Sequence, residues 1–259
     1  MTEVYRFSES EILLFGLVLI RMASFVVSWP IFGVENVSNM VKLLFALLLA
    51  MIVFPTLHWS AEQINGLDMR LIPLIVKETL IGLSLGFLAR FFFFTFRVAG
   101  EMLSQAMGLS SAQMFNPMMG GQTSSVEQLY VTLASLFYLA VNGHHQLISG
   151  LVSSFSWVPA AQMSLNVSQF SGVGHMVQEV VELGLKFSAP VVISILVINL
   201  VLGVVGRTVP QLNVLVTSFP INILIGFTLL MITLPLLIDH MGDFLQLSTT
   251  RVFAFVKSF

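Results

Sequence analysis

Residues Leu71–Phe96 read LIPLIVKETLIGLSLGFLARFFFFTF. The run exceeds the roughly 20 apolar residues that a helix needs to cross the hydrocarbon layer of a bilayer. Its only charges are Lys77, Glu78 and Arg90. Charges inside such a run are costly and often functional, and the plainer alternative is snorkelling or an ion pair at a helix end. Arg21 and Asp239 pose the same question in or at the ends of other runs. Gly82 and Gly86 stand four apart, as do Ala46 and Ala50. This spacing lets helix backbones approach closely, although in a chain rich in Gly, Ala and Leu it also arises by chance.

Five further apolar runs lie at Ile12–Val34, Leu43–Leu57, Val126–Val152, Leu183–Gly206 and Leu212–Ile238, the first of these five being long and the second short. The pattern predicts an all-α membrane fold of about six long apolar helices. Ser8 with Glu11, Ser60 with Gln63 and Ser124 with Glu127 have the spacing of a capping box, in which a hydroxyl and a carboxylate or amide satisfy each other's backbone donors. Pro190, Pro210, Pro220 and Pro235 punctuate the last two runs. Proline removes a helix hydrogen bond and restrains the residue before it, so bent or broken helices are expected there, with Pro210 in a tight turn.

Composition excludes several classes. Of the 259 residues, 56% are hydrophobic and 9% charged, against roughly 25% charged in soluble chains. Mean hydropathy is +0.94. Lipid or equally apolar partner subunits must cover such a surface. A net charge of −2 gives no field for nucleic acid. The absence of cysteine excludes disulfides, thiolate catalysis and cysteine metal sites. The start MTEVYRFSESE lacks the basic opening and small-residue cleavage site of a secretory signal, so the first apolar run is expected to stay in the protein. Flanking basic residues do not fix an orientation. Arg6, Arg70, Lys77, Arg251 and Lys257 would lie on one side, and Lys42, Arg90, Arg97 and Arg207 on the other.

Gly100–Gln122 reads GEMLSQAMGLSSAQMFNPMMGGQ. Gly100, Gly108, Pro117 and the pair Gly120–Gly121 forbid a single helix. The stretch holds Met102, Met107, Met114, Met118 and Met119. Methionine is unbranched and polarizable, and it fills irregular, changing gaps. Irregular backbone at membrane depth survives only inside protein or beside a water-filled cavity. A Met-rich, Gly-hinged loop therefore suits a pliable pore seal. It equally suits a surface loop whose Met side chains and Phe115 tuck into the core. Asn142–Gly143–His144–His145 is a poor chelate, because adjacent side chains on a helix point about 100° apart, and helix-end capping or interface hydrogen bonding fits it better. Phosphate-binding loops, H-E-x-x-H and G-x-S-x-G are all missing, so neither an enzyme nor a cofactor is indicated.

Three blocks resemble the FliR family of flagellar export proteins: Arg21–Pro55, Met107–Ile148 and Gly206–Phe227. The most specific parts are the polar-studded loop running into Asn142–His145, and Pro210–Asn213 followed by Phe219–Pro220. The resemblance implies a helical export-gate subunit in two portions. Residues 1–182 would be FliP-like and include a plug loop over 100–122, and residues 183–259 would form a FliQ-like helical hairpin with a C-terminal tail. It implies assembly with FliP and FliQ homologues, contact with FlhB and FlhA homologues, and passage of unfolded flagellar proteins across the bacterial inner membrane at the basal body. Some of the complex would be displaced to the periplasmic side. The plug maps onto Met107, Met114, Phe115, Asn116, Pro117, Met118 and Met119, with hinges at Gly108, Gly120 and Gly121. A subunit-interface turn maps onto Arg207, Pro210, Gln211 and Asn213. The alternatives are a counterpart from a virulence injectisome and a small-solute secondary transporter, which the broken, charge-bearing runs motivate. At the other end of the chain, Val252, Phe255, Val256 and Phe259 share one helical face, which suits either docking to a partner or packing within the chain.

Overall fold

A computed structural model describes residues 9–30, 37–57, 67–110, 124–160, 171–209 and 213–258. Among the described residues there are seven α-helices and no strand. They are α1 (Glu9–Ser28), α2 (Asn39–Val53), α3 (Leu67–Met107), α4 (Ser125–Ala140), α5 (Gly143–Trp157), α6 (Ser171–Thr208) and α7 (Val214–Lys257). A short 3₁₀ turn, Phe54–Thr56, follows α2. Five stretches are long and apolar enough to cross a membrane: Glu11–Ser28, Asn39–Thr56, Leu71–Met107, Gly172–Thr208 and Val216–Lys257.

The sequence pattern is corrected in two places. Val126–Val152 is two helices, because Asn142 adopts a left-handed conformation (φ 57°) between them. Pro73, Pro190, Pro220 and Pro235 all lie inside continuous helices. A broken helix would free further peptide groups among apolar surroundings, at a cost of several kcal/mol each, by the general rule for buried polar groups. Losing one hydrogen bond is the smaller penalty.

Two compact units result. The first gathers the described parts of Met1–Arg90, Asn142–Gly174 and Leu247–Phe259. Here α1 and α3 meet at the two glycines. A Cβ on Gly82 would overlap Ser24 Oγ and the Arg21 carbonyl, and one on Gly86 would lie 2.8 Å from the Phe25 carbonyl. The close-approach reading of that spacing therefore holds. On α2, Ala46 and Ala50 are fully buried, while Phe15 meets Phe54 at 5.5 Å and Trp29 meets Phe45 at 6.5 Å. Ser38 caps α2 by accepting from Val41 N. The end of α7 packs on α5. A Cβ on Gly150 would overlap the Phe253 ring, and Lys257 Nζ sits 4.7 Å above Trp157. Val252, Phe255 and Val256 are buried, so the described portion of the tail's apolar face is filled within the chain.

The second unit gathers the described parts of Phe91–Val141 and His175–Gln246. Its core is aromatic: Phe96 stacks on Phe187 at 5.5 Å and Phe92 on Phe244 at 5.5 Å. Gly100 lets α3 approach α4, where a Cβ would stand 2.6 Å from Glu127 Cα. Ser124 caps α4 through Glu127 N, but the Glu127 carboxylate pairs with Arg97 at 2.7 Å.

The outer faces of α6 and α7 change character along their length. On α6, His175, Gln178, Glu182 and Lys186 are exposed early, beside Val177, Val181 and Leu185, and the exposed face is mostly apolar later, at Ile193, Leu196, Leu200 and Val204. Along α7, Leu224, Met231 and Leu236 are exposed first, then Asp239, His240 and Asp243. From Lys186 to Arg207 the apolar stretch of α6 covers roughly 30 Å at 1.5 Å per residue, the thickness of a bilayer's hydrocarbon layer.

Candidate functional site

The entrance to the Met-rich segment is built at the end of α3. Gly108 takes φ +80°. Its N–H donates to the Gln105 carbonyl at 3.1 Å, and Leu109 N–H donates to the Ser104 carbonyl at 3.0 Å. This is the double hydrogen bond of a Schellman stop, in which glycine enters the left-handed region that other residues avoid. The Ser104 and Ser110 hydroxyls, 3.2 Å apart, close the turn. Met107 is fully buried. Its side chain lies over Gly226 of α7, where a Cβ would stand 2.7 Å from Met107 Cγ and 3.0 Å from Sδ. The Phe219 ring covers Gly108, 2.7 Å from where a Cβ would project.

Of the residues assigned to the seal by resemblance, Met107 and Gly108 are described. Met114, Phe115, Asn116, Pro117, Met118, Met119, Gly120 and Gly121 lie outside the described residues. Of the interface turn, Pro210 and Gln211 also lie outside. Arg207 and Asn213 are exposed at the ends of α6 and α7. Asn213 begins α7: its side-chain oxygen accepts from Val216 N at 3.4 Å and its carbonyl from Thr217 N at 3.0 Å. Asn213 thus caps α7, a position that asparagine favours. The sequence marked Phe219 and Gly226 only as members of the block Gly206–Phe227, because their packing depends on partners more than a hundred positions away.

A second constellation is buried in the first unit. Arg21, Lys77 and Glu78 are each 0% exposed. Arg21 Nε donates to Glu78 Oε2 at 2.5 Å, Nη1 to Ser154 Oγ at 3.0 Å and Nη2 to the Val158 carbonyl at 2.9 Å. Its guanidinium also stands 4.0 Å from the Phe155 ring centroid. Lys77 Nζ lies 3.2 Å from Glu78 Oε1 and donates to the carbonyls of Pro159 (2.6 Å) and Ala160 (3.2 Å). Two cations and one anion thus gather three consecutive carbonyls just past the C-terminus of α5, the end at which a helix favours positive charge. The snorkelling reading of these charges is overturned, because all three are internal, and Lys77 cannot count as a flanking charge for orientation. Arg90 acts similarly for α1, donating to the Ser28 carbonyl at 2.6 Å. In the second unit, Asn222 Nδ2 donates to Asn199 Oδ1 at 3.0 Å, joining α6 to α7 by side-chain amides.

Comparison with known proteins gives a consistent result. The model of the family "Bacterial export proteins, family 1" matches residues 12–248. The flagellar biosynthetic protein FliR of Bacillus subtilis (strain 168) is 35% identical over 84% of this chain and 85% of its own length. The FliR of Aquifex aeolicus (strain VF5) is 29% identical over 97% of both chains. That of Escherichia coli (strain K12) is 31% identical over 85% of this chain and 83% of its own. With a family match across most of its length and full-length similarity to proteins of that one name, the chain belongs to the FliR family of bacterial export proteins.

Proposed function

We propose that this protein is the FliR-type pore subunit of a flagellar type III export gate. It assembles with FliP and FliQ homologues, meets FlhB and FlhA homologues, and passes unfolded flagellar proteins across the inner membrane. The relatives named above are flagellar biosynthetic proteins, which supports the flagellar branch over an injectisome counterpart. The observation that carries the reading is the apolar outer face of α6 and α7. Ile193, Leu196, Leu200, Val204, Leu224, Met231 and Leu236 are exposed along helices of 38 and 44 residues. Exposed apolar area on this scale marks contact with partner proteins or membrane. In this reading residues 1–182 are the FliP-like portion, and α6 and α7 form the FliQ-like hairpin.

The segment from Met107 to Gly121 is the pore seal in the same reading. Its methionines and Phe115 exclude water when closed, and Gly120 and Gly121 allow the backbone to swing when a substrate passes. Deleting residues across Met114–Met119 is expected to leave the complex assembled and permeable to ions, with a several-fold rise in conductance and slowed growth on overexpression. Conductance and flagellin secretion are measured in the same strains. Ion-tight complexes with normal secretion would sink the seal assignment.

A further inference from the structure

We infer that α7 holds the seat of that seal: Gly226 and Phe219 are positioning residues that set the direction in which the chain leaves α3. The inference rests on the seal reading of the segment beginning at Met107. Three independent features converge on one place. Met107 is 0% exposed with its side chain over the bare backbone of Gly226. Gly108 is locked at φ +80° by the two hydrogen bonds of the Schellman stop. Phe219 covers that glycine on the side where a Cβ would project.

Each contact removes one freedom. The stop fixes the backbone direction at Gly108. Phe219 closes the side toward which the turn would otherwise relax. Met107 is held in a notch that admits no methyl group without displacing it. A long, flexible methionine serves here as a fixed plug, because its contact surface is backbone that cannot move aside. Gly108 is thus a stationary turn. The seat lies on α7 next to Pro220, so the orientation of the seal is referred to the α6–α7 hairpin, whose outer face is apolar and exposed.

The experiment compares three variants in the assembled complex: Gly226→Ala, Phe219→Ala, and the Met114–Met119 deletion. Complex yield, ion conductance and flagellin secretion are read for each. Gly226→Ala and Phe219→Ala are expected to assemble at near wild-type yield and to raise conductance at least several-fold. Phe219→Leu, which keeps an apolar cover, should restore tightness. If the deletion leaks while both α7 variants assemble and stay tight, the seat is wrong and the seal reading stands. If the deletion itself stays tight, the seal reading fails and the seat falls with it. If Gly226→Ala does not assemble, Phe219→Ala decides alone, since it only removes atoms. Loss of assembly in both would make these contacts purely structural and overturn the inference.

Discussion

Glu78→Gln is expected to prevent stable accumulation of the protein, whereas Lys77→Met is tolerated far better. The asymmetry follows from charge count. Arg21, Lys77 and Glu78 are all 0% exposed. Removing Glu78 leaves two cations buried without an anion, and breaking a buried pair from one side costs about 3–5 kcal/mol. That is a large share of the roughly 5–15 kcal/mol by which a folded domain is stable. Removing Lys77 leaves a one-to-one pair, Arg21 with Glu78, and takes donors from the Pro159 and Ala160 carbonyls and the ammonium from beside Glu78 Oε1. Such a loss is about 1–3 kcal/mol per orphaned group. Membrane yield and thermal midpoint of the complex in detergent test the order. Equal damage from the two substitutions, or greater damage from Lys77→Met, would refute the accounting.

The double substitution Gly82→Ala, Gly86→Ala should separate α1 from α3. Alanine favours a helix over glycine by roughly 0.5–1 kcal/mol per position. Against that stands a steric conflict with backbone, since the added atoms would meet the Arg21 and Phe25 carbonyls as well as Ser24 and Ser28 hydroxyls. Backbone cannot rotate away as a side chain does, so each site is expected to lose about 1–3 kcal/mol as for overpacking. The displacement also draws Arg21 away from Glu78, which adds to the loss. Alanine at Gly172 or Gly174, whose added Cβ would meet nothing within 4 Å, is the control and should leave the thermal midpoint unchanged or slightly raised, by helix propensity alone. An assembled double variant with an unaltered thermal midpoint would show that the crossing is not tight.

The existence of the helices was legible because lipid-like composition leaves few other choices for Leu71–Phe96 or Leu183–Gly206. Their ends were not. α3 continues to Met107 because past Phe96 it becomes two-sided: Ala99, Leu103 and Met107 are buried while Arg97 and Gln105 are exposed. A count of uniform apolarity stops where such a face begins. α7 likewise runs on past Ile238 with Asp239 and Asp243 outward and Met241, Leu245 and Val252 inward. The glycine spacing at Gly82 and Gly86 carried its own explanation, since only a close neighbour needs two bare positions one turn apart. The charged residues did not, because a buried cation and a snorkelling one look alike until the carbonyls of Val158–Ala160 are seen beside them. The turn that ends α3 was half legible. Gly108 announced a stop, but its anchorage on Phe219 and Gly226 depends on long-range packing that no local pattern encodes.

The buried charges also order events during synthesis. Arg21 lies 57 residues before Glu78 and 137 before Val158. At about 5–20 residues per second, the interval before its carboxylate partner appears is on the order of 3–11 s. A lone Arg or Lys at the centre of an inserting helix opposes insertion by roughly 2.5–3.5 kcal/mol. α1 thus emerges first yet lacks the means to settle first. Its stable entry into the apolar layer waits for α3 to deliver the counter-charge, and its last hydrogen bonds wait for α5. A nascent chain halted before Glu78 carries a helix whose charge has nowhere to go, and such fragments are natural substrates for membrane quality control.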